Sequence, residues 1–243
     1  MMIDLGNRIV NGFAYLVIVF VLCVTIYFIA QRLFSLSSEW SRKLLHFTAI
    51  AGLTTWLYVF GDWKTACLTM AIFMVTFCLG LYLAEKTPLF AFLSRVTSER
   101  KPGELIKSLF AASMMFILVV SVCWGFFGER NLALASIYAW GPGDAAAALV
   151  GKRYGKTKIG KQKKKSLEGS LSMFAASWVC VFAILLASRS FAFLPSLLVS
   201  LLTALVTAFV ELMVTSGYDT IFCPCAAMTV LCLSYMLQNL LTM

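Results

Sequence analysis

Long apolar runs alternate with short polar connections along the whole chain. The runs lie near residues 10–30, 44–60, 65–84, 108–127, 132–150, 171–188, 191–210 and 222–241. Most of them approach the roughly 20 residues that a helix needs to cross a bilayer. The second run is short, and the fifth is interrupted by Gly141-Pro142-Gly143. The pattern predicts an all-α, polytopic integral membrane protein with about eight transmembrane helices, forming a single membrane domain over residues 1–243.

Composition supports this prediction and excludes soluble classes. Of the 243 residues, 61% are hydrophobic and only 13% are charged. Soluble domains are about 45–50% apolar, so this chain lacks the polar surface that a soluble globule needs. Runs this long also exclude a transmembrane β-barrel, whose strands are segments of about ten residues with alternating apolar and polar positions. The eight cysteines lie mostly inside apolar runs, and with a single histidine no Cys/His zinc site is expected.

The basic residues are distributed unevenly between the two predicted sides of the membrane. Sixteen Lys and Arg residues fall in alternate connections, whereas the opposite side carries only Arg8, Lys64, Arg130 and Arg189. Cytoplasmic loops carry the excess of Lys and Arg in membrane proteins. We therefore expect both termini outside and the basic connections in the cytoplasm, which also accounts for the net charge of +9.

Asp144 is the one formal charge within the predicted apolar cores, and His46 is the one histidine. Ionisable groups within spans are costly and usually functional. Asp144 follows Gly141-Pro142-Gly143, where proline should break the helix. We expect the alanine-rich stretch to restart as a half-helix whose N-terminus, near Asp144, suits a phosphate. The alternative is that Asp144 only caps this restarted helix.

A strongly basic connection follows, with eight Lys and Arg residues between positions 152 and 165 and no acid among them. One interpretation is a cytoplasmic loop that sets topology and touches anionic lipid headgroups. The other is a cradle for a polyphosphate, in which Gly151, Gly155 and Gly160 allow the backbone to approach the ligand. Ser166 and Glu168 end the run with polar groups.

Three further clusters fall on the same predicted side. Arg42, Lys43 and His46 share one helix face, either as interfacial anchors or as part of a site. Glu104 opens the fourth span, where an acid also complements a helix dipole. Glu211 and Asp219 lie around a short connection without bases, which suggests either internal ion pairing with the cationic loop or metal binding.

In this order, the clusters resemble the signature of the CTP-dependent lipid-alcohol kinases, which include phytol, farnesol, dolichol and polyprenol kinases and yeast-type diacylglycerol kinases. The resemblance rests on Arg42-Lys43-Leu44-Leu45-His46, Gly103-Glu104-Leu105, Gly143-Asp144-Ala145-Ala146-Ala147, Gly151-Lys152-Arg153-Tyr154-Gly155-Lys156, Lys165-Ser166-Leu167-Glu168-Gly169-Ser170 and Glu211 through Pro224. Thr220 departs from the asparagine that the family carries after Asp219. Phosphatidate cytidylyltransferases are more distantly similar.

The resemblance implies transfer of the γ-phosphoryl group of CTP to the hydroxyl of a long-chain lipid alcohol at the cytoplasmic face, with a divalent cation such as Mg²⁺. It implies metal ligands among Asp144, Asp219 and Glu168, and catalytic roles for Asp144, Glu211, Asp219 and His46. Glu104 would contact the substrate. Nucleotide and phosphate binding is expected of a larger set: Arg42, Lys43, Gly143, Lys152, Arg153, Gly155, Lys156, Lys165, Ser166, Glu168 and Gly169.

Other functions remain as alternatives. A cytidylyltransferase would attach CMP to a lipid phosphate, and a kinase could use diacylglycerol as its acceptor. A broken helix with one buried acid would also suit an ion-coupled transporter, although the outer connections are short and nearly featureless. No nucleic-acid partner is expected, because no aromatic residues are interleaved with the lysines in the way that base stacking requires.

Overall fold

The structure, a computed structural model, describes residues 2–34, 38–84, 87–88, 103–159, 165–214 and 217–242. Within this part, eight helices of 17 or more residues follow the eight predicted runs. They are α1 Met2–Phe34, α2 Ser38–Val59, α3 Trp63–Leu83, α4 Glu104–Val120, α5 Arg130–Tyr154, α6 Leu167–Ser188, α7 Phe193–Met213 and α8 Asp219–Thr242. The α4 helix continues as a π-helix over Ser121–Phe126. Strands β1 Lys158–Ile159 and β2 Lys165–Ser166 add a short antiparallel hairpin.

Six of the described helices are long and apolar enough to cross a membrane. They are α1, α3, α4 with its π-helical end, α6, α7 and α8. The two that do not meet this criterion are α2 and α5, which correspond to the short second run and the interrupted fifth run. The all-α membrane class is thus confirmed, while the count of eight spans and the position of the termini remain predictions.

The chain forms two compact units, Met1–Ile117 and Leu118–Met243, here called the first and second units. In the first unit, α1 packs against α2 and α3. In the second unit, α5 packs against α6 and α8, and α7 packs against both α6 and α8. The boundary falls inside α4, where the composition does not change, so it could not be predicted from sequence. The single domain remains a prediction.

The interior of the second unit explains why α5 is less apolar than its neighbours. Ten of its residues are buried, and most of them are alanine, glycine or serine. Small side chains let helix backbones approach closely inside a membrane bundle. In contrast, α6 and α7 expose large side chains such as Leu171, Val179 and Leu198, as lipid-facing helices do. A helix enclosed by protein needs less hydrophobicity than one that faces lipid.

The predicted break at Pro142 is wrong. The α5 helix runs without interruption from Arg130 to Tyr154. Asp144 therefore lies inside a helix, neither at the N-terminus of a half-helix nor as its cap. The hydroxyl of Ser177, in the neighbouring α6, donates a hydrogen bond to the carbonyl oxygen of Ala139. Proline is tolerated within a membrane helix where polar side chains of adjacent helices form hydrogen bonds with the backbone groups around it.

The N-terminus of α3 provides a local prediction about stability. Asp62 Oδ1 accepts a hydrogen bond from the Thr65 N–H at 2.8 Å, and Oδ2 accepts one from the Thr65 hydroxyl at 2.7 Å. Partial burial raises the pKa of Asp62, but these hydrogen bonds and the charge of Arg8 outweigh it and hold the pKa below its ordinary value. A lowered folded-state pKa stabilises the fold above the unfolded-state pKa and loses this effect as the pH falls through the folded-state value.

We expect Asp62→Ala to destabilise the protein by about 1 kcal/mol at neutral pH, a typical value for a lost N-cap. Thermal unfolding of the full chain in detergent should show a melting temperature lower by about 2–4 °C. The difference should shrink as the pH falls through the range in which Asp62 is protonated. Asp62→Asn, which keeps a capping oxygen, is the control, and an equal loss in that variant would contradict capping.

Candidate functional site

Three acidic side chains of the second unit act on one another through their charges. Asp144 lies in α5, Glu211 in the last turn of α7, and Asp219 at the first residue of α8. The charges of Asp144 and Asp219 both act on the carboxylate of Glu211, and Asp144 also acts on Asp219. We call these residues the acid cluster. Mutual repulsion of carboxylates costs stability, so such a grouping suggests a site for a cationic or metal-bound ligand.

Lys165 is held at one side of the acid cluster. Its Nζ lies 2.7 Å from Glu211 Oε1, and it donates hydrogen bonds to the Val214 carbonyl at 3.1 Å and to the carbonyl of Glu211. An ammonium group has three donors, so these three acceptors occupy all of them. Of the two alternatives for Glu211, ion pairing with the cationic loop is therefore the one observed. The predicted binding of phosphate by Lys165 stays a prediction, and it would require Lys165 to exchange one of these acceptors.

Glu168, in the first turn of α6, holds the backbone that leads into the β1–β2 hairpin. Its Oε1 accepts hydrogen bonds from the backbone N–H groups of Lys156 at 3.2 Å and Thr157 at 3.3 Å. The Leu167 N–H also donates to the Thr157 carbonyl at 2.9 Å. Among the described residues, Oε2 is buried without a hydrogen-bond partner. Glu168 thus fixes the backbone between α5 and β1, and its predicted binding of metal or phosphate stays a prediction.

The glycines of the basic connection pack against protein. A Cβ at Gly155 would collide with the Gly151 carbonyl oxygen and the Ser166 side chain. A Cβ at Gly169 would lie 2.9 Å from the Ala147 carbonyl oxygen. The Ser166 hydroxyl in turn caps α6 by accepting the Gly169 N–H at 3.2 Å. Gly151 and Gly155 therefore join α5 to the start of α6, which differs from the predicted contact with a ligand, and Gly160 lies outside the described residues.

Gly143, also predicted to bind phosphate, has a packing role of the same kind. It is buried in α5, and a Cβ there would collide with the hydroxyl of Ser177 and lie 3.0 Å from Cγ of Met173. Both neighbours belong to α6. Gly143 thus allows α5 and α6 to approach closely next to Asp144.

We expect Gly155→Ala to destabilise the second unit by about 1–3 kcal/mol, because the added methyl group overpacks the junction. Gly80→Ala is the matched control, since Gly80 lies in α3 with nothing within 4 Å of an added Cβ. Alanine in an open helical position should be neutral or stabilising. Thermal unfolding of both variants checks this prediction, and an unchanged melting temperature for Gly155→Ala would contradict the close contact.

The remaining predicted cations divide between exposed and buried positions. Lys152, Arg153 and Lys156 are exposed at the end of α5 and just beyond it. Lys161, Lys163 and Lys164 lie outside the described residues. In the first unit, Lys43 is only 6% exposed, while Arg42 and His46 are half-buried on the same helix α2. Glu104 begins α4, also in the first unit. The predicted roles of Arg42, Lys43, His46 and Glu104 remain predictions.

A preformed metal centre is not found within the described ranges. No group of three His, Cys, Asp or Glu side chains there could hold a metal ion. The predicted set of Asp144, Asp219 and Glu168 is therefore not assembled as a three-ligand site. Magnesium, however, usually binds through one or two carboxylates together with substrate phosphates and water. Asp144 and Asp219 fit that mode, because both supply carboxylate oxygens and the charge of Asp144 acts on Asp219.

Two contributors to the site were missed by sequence reasoning. Val214 supplies a carbonyl oxygen to Lys165, and Cys223, one turn into α8, is buried next to the acid cluster and interacts electrostatically with all three acids. The role of the Val214 carbonyl could have been predicted from its place at the end of α7, because the last carbonyl groups of a helix lack helical partners. Cys223 gives no such signal, since a cysteine in an apolar run is typical of packing.

Comparison with known proteins identifies similar chains among lipid kinases. "Probable phytol kinase, chloroplastic" of Zea mays is 30% identical over 121 residues, which are 50% of this chain and 37% of that protein. A dolichol kinase of Arabidopsis thaliana is 33% identical over 98 residues, which are 39% of this chain and 17% of that protein. "Farnesol kinase, chloroplastic" of Arabidopsis thaliana is 27% identical over 122 residues, which are 50% of this chain and 37% of that protein.

These matches span half or less of the relatives' own length. No protein-family model matches this chain, and no solved structure matches it. The relatives nevertheless agree in kind, because phytol, farnesol and dolichol are all long-chain isoprenoid alcohols. The sequence similarity thus confirms the resemblance of this chain to the lipid-alcohol kinase family.

Proposed function

We propose that this protein is an integral-membrane kinase that transfers the γ-phosphoryl group of CTP to the hydroxyl of a long-chain lipid alcohol. The observation that carries the proposal is the acid cluster with Lys165, gathered where α7 ends and α8 begins. Similarity to phytol, farnesol and dolichol kinases supports the choice of an alcohol acceptor. CTP as the donor follows from the family resemblance in the motifs.

The lipid-facing surface suits an acceptor with an apolar tail. Helices α6 to α8 expose large side chains along their length, including Leu171, Leu198 and Leu233. A tail can stay in the hydrocarbon while its hydroxyl reaches the polar end of the second unit. By the uneven distribution of Lys and Arg, we assign this end to the cytoplasm and propose eight membrane-crossing helices with both termini outside.

Within the acid cluster, we assign different roles to the three acids. Glu211 is paired with Lys165, which leaves Asp219 as the base that accepts the proton of the alcohol. Asp219 Oδ1 is already oriented by the Gly217 N–H at 2.8 Å. The alcohol oxygen forms a bond to the γ-phosphorus as the bond from that phosphorus to the β,γ-bridging oxygen breaks, which releases CDP. Exposed Lys152 and Lys156 would hold the phosphates.

A divalent cation would enter with the triphosphate, held by the Asp144 carboxylate together with the phosphates and water, and would neutralise charge on the phosphates. Phosphoryl transfer depends mainly on positioning and charge neutralisation, so these are the tasks that the site must perform. The clustered acids favour binding of the divalent cation, because its positive charge would relieve the repulsion between them.

Labelled nucleotides test the proposal on the purified full chain in detergent and lipid. Phytol, farnesol, a polyprenol and diacylglycerol are each incubated with CTP labelled at the α- or the γ-phosphorus, and with γ-labelled ATP. We expect γ label from CTP in the extracted lipid. Entry of the α label would instead identify a nucleotidyltransferase, and absence of label from all four alcohols would contradict the kinase proposal.

A further inference from the structure

The end of α5 lies level with the start of a membrane-crossing helix. Gly151 and Gly155 pack against Ser166 and Gly169, and the apolar stretch of α6 begins at Leu167. Leu167 and Leu171 are 45% and 59% exposed, as expected for side chains that face lipid. With α6 as a membrane-crossing helix, we infer that residues 151–155 lie near the boundary between the hydrocarbon and the headgroups.

Arg153 lies on the opposite side of α5 from the acid cluster. It follows Asp144 by nine residues, about two and a half turns of an α-helix, which places the two side chains on opposite faces. Gly151 and Gly155, on either side of Arg153 in sequence, face α6 instead. The Arg153 side chain is exposed, in agreement with an outward position. A phosphate bound near Asp144 would lie on the far side of the helix.

Arg153 is paired with an interfacial aromatic residue. Its guanidinium carbon lies 5.2 Å from the centre of the Tyr154 ring, and Tyr154 is 57% exposed. Tyrosine is enriched at the level of lipid headgroups, and arginine binds phosphate through two parallel hydrogen bonds. Stacking on the ring limits the conformations of the long arginine side chain, which prepares it for a ligand at this level.

We propose that Arg153 and Tyr154 form a binding surface for the phosphate of an anionic phospholipid in the surrounding membrane. This changes the sequence-based assignment of Arg153 as a nucleotide ligand. The shared chemistry is phosphate recognition, and the lipid is favoured over the nucleotide because the pair is exposed, lies at the membrane boundary and faces away from the acid cluster. The surface would anchor the end of α5, which carries Asp144.

Lipid binding without turnover tests this inference separately from the proposed function. The full chain in detergent is titrated with phosphatidylglycerol that carries a fluorophore on one acyl chain, and with phosphatidylcholine labelled in the same way. We expect Arg153→Gln to weaken phosphatidylglycerol binding about fivefold, the effect of one basic residue near an anionic surface, and to leave phosphatidylcholine binding unchanged. Tyr154→Leu should cause a smaller loss in the same direction.

Lys158→Gln is the matched control, since Lys158 is an exposed cation in β1 of the same connection. An equal loss in this variant would mean that only the total charge matters and would overturn the assignment to the pair. CTP binding is measured in parallel on Arg153→Gln by equilibrium dialysis. Loss of CTP binding with phosphatidylglycerol binding unchanged would make Arg153 a nucleotide ligand, and no change in either would also overturn the inference. Wild-type protein that fails to bind CTP would contradict the kinase proposal alone.

Discussion

Replacing Asp144 with asparagine should lower the rate of phosphoryl transfer at least about 100-fold, while the protein stays folded and inserted. The size of the loss follows from the proposed mechanism, in which the Asp144 carboxylate holds the cation that neutralises charge on the phosphates in the transition state. Asp144 also repels Glu211 and Asp219 in the structure, so its neutralisation should leave the melting temperature unchanged or raise it. Activity and thermal unfolding, measured on the same detergent preparation, check both parts.

Two outcomes separate a functional acid from a structural one. Near-normal turnover of Asp144→Asn would remove Asp144 from the mechanism. A parallel fall of activity and melting temperature would mean that the carboxylate mainly holds the helices together. Asp62→Asn is a suitable control for the loss of an acidic charge elsewhere in the chain, and it should retain full activity.

Replacing Lys165 with methionine should destabilise the second unit by about 3–5 kcal/mol, because the change leaves the buried Glu211 carboxylate without its paired charge. Activity should be lost together with the fold. Lys164→Met, the adjacent position in the basic run, should have a far smaller effect on both. Thermal unfolding in detergent and the transfer assay measure the difference.

The double variant Lys165→Met, Glu211→Gln keeps this prediction testable if the single variant does not fold. Neutralising both partners removes the uncompensated charge, so we expect most of the lost stability to return. The energy of coupling between the two positions follows from the double-mutant cycle. Additive effects of the two substitutions would contradict the ion pair, and equal small losses across the basic run would favour a role in topology alone.

Local pattern was sufficient to locate the helices and to nominate candidate site residues. Hydrophobic runs marked all eight described helices, and the cost of charge in a membrane singled out Asp144. The same local rules failed at Pro142, where they predicted a broken helix. The hydroxyl of Ser177 lies 35 residues further along the chain and bonds within the affected turn, so no local pattern could reveal that α5 continues.

The roles within the basic connection also depended on packing. Glycines there suit either a ligand or a neighbouring helix, because both require a close approach of the backbone. The structure places Ser166 and Gly169 of the chain itself against Gly151 and Gly155. Because α5 is uninterrupted, Arg153 lies on the face of the helix opposite to Asp144. The predicted break at Pro142 did not allow the two residues to be placed on one helix.

What the sequence by itself determined is the membrane class, the position of the helices and the resemblance to the lipid-alcohol kinases. These follow from side-chain hydrophobicity and from motif order, which are properties of neighbouring residues. Only the tertiary structure decided that Lys165 pairs with Glu211 rather than Glu168, and that Asp144 shares its surroundings with Asp219. Such partners are brought together by the packing of α5 to α8, and charge interactions depend on distance in space.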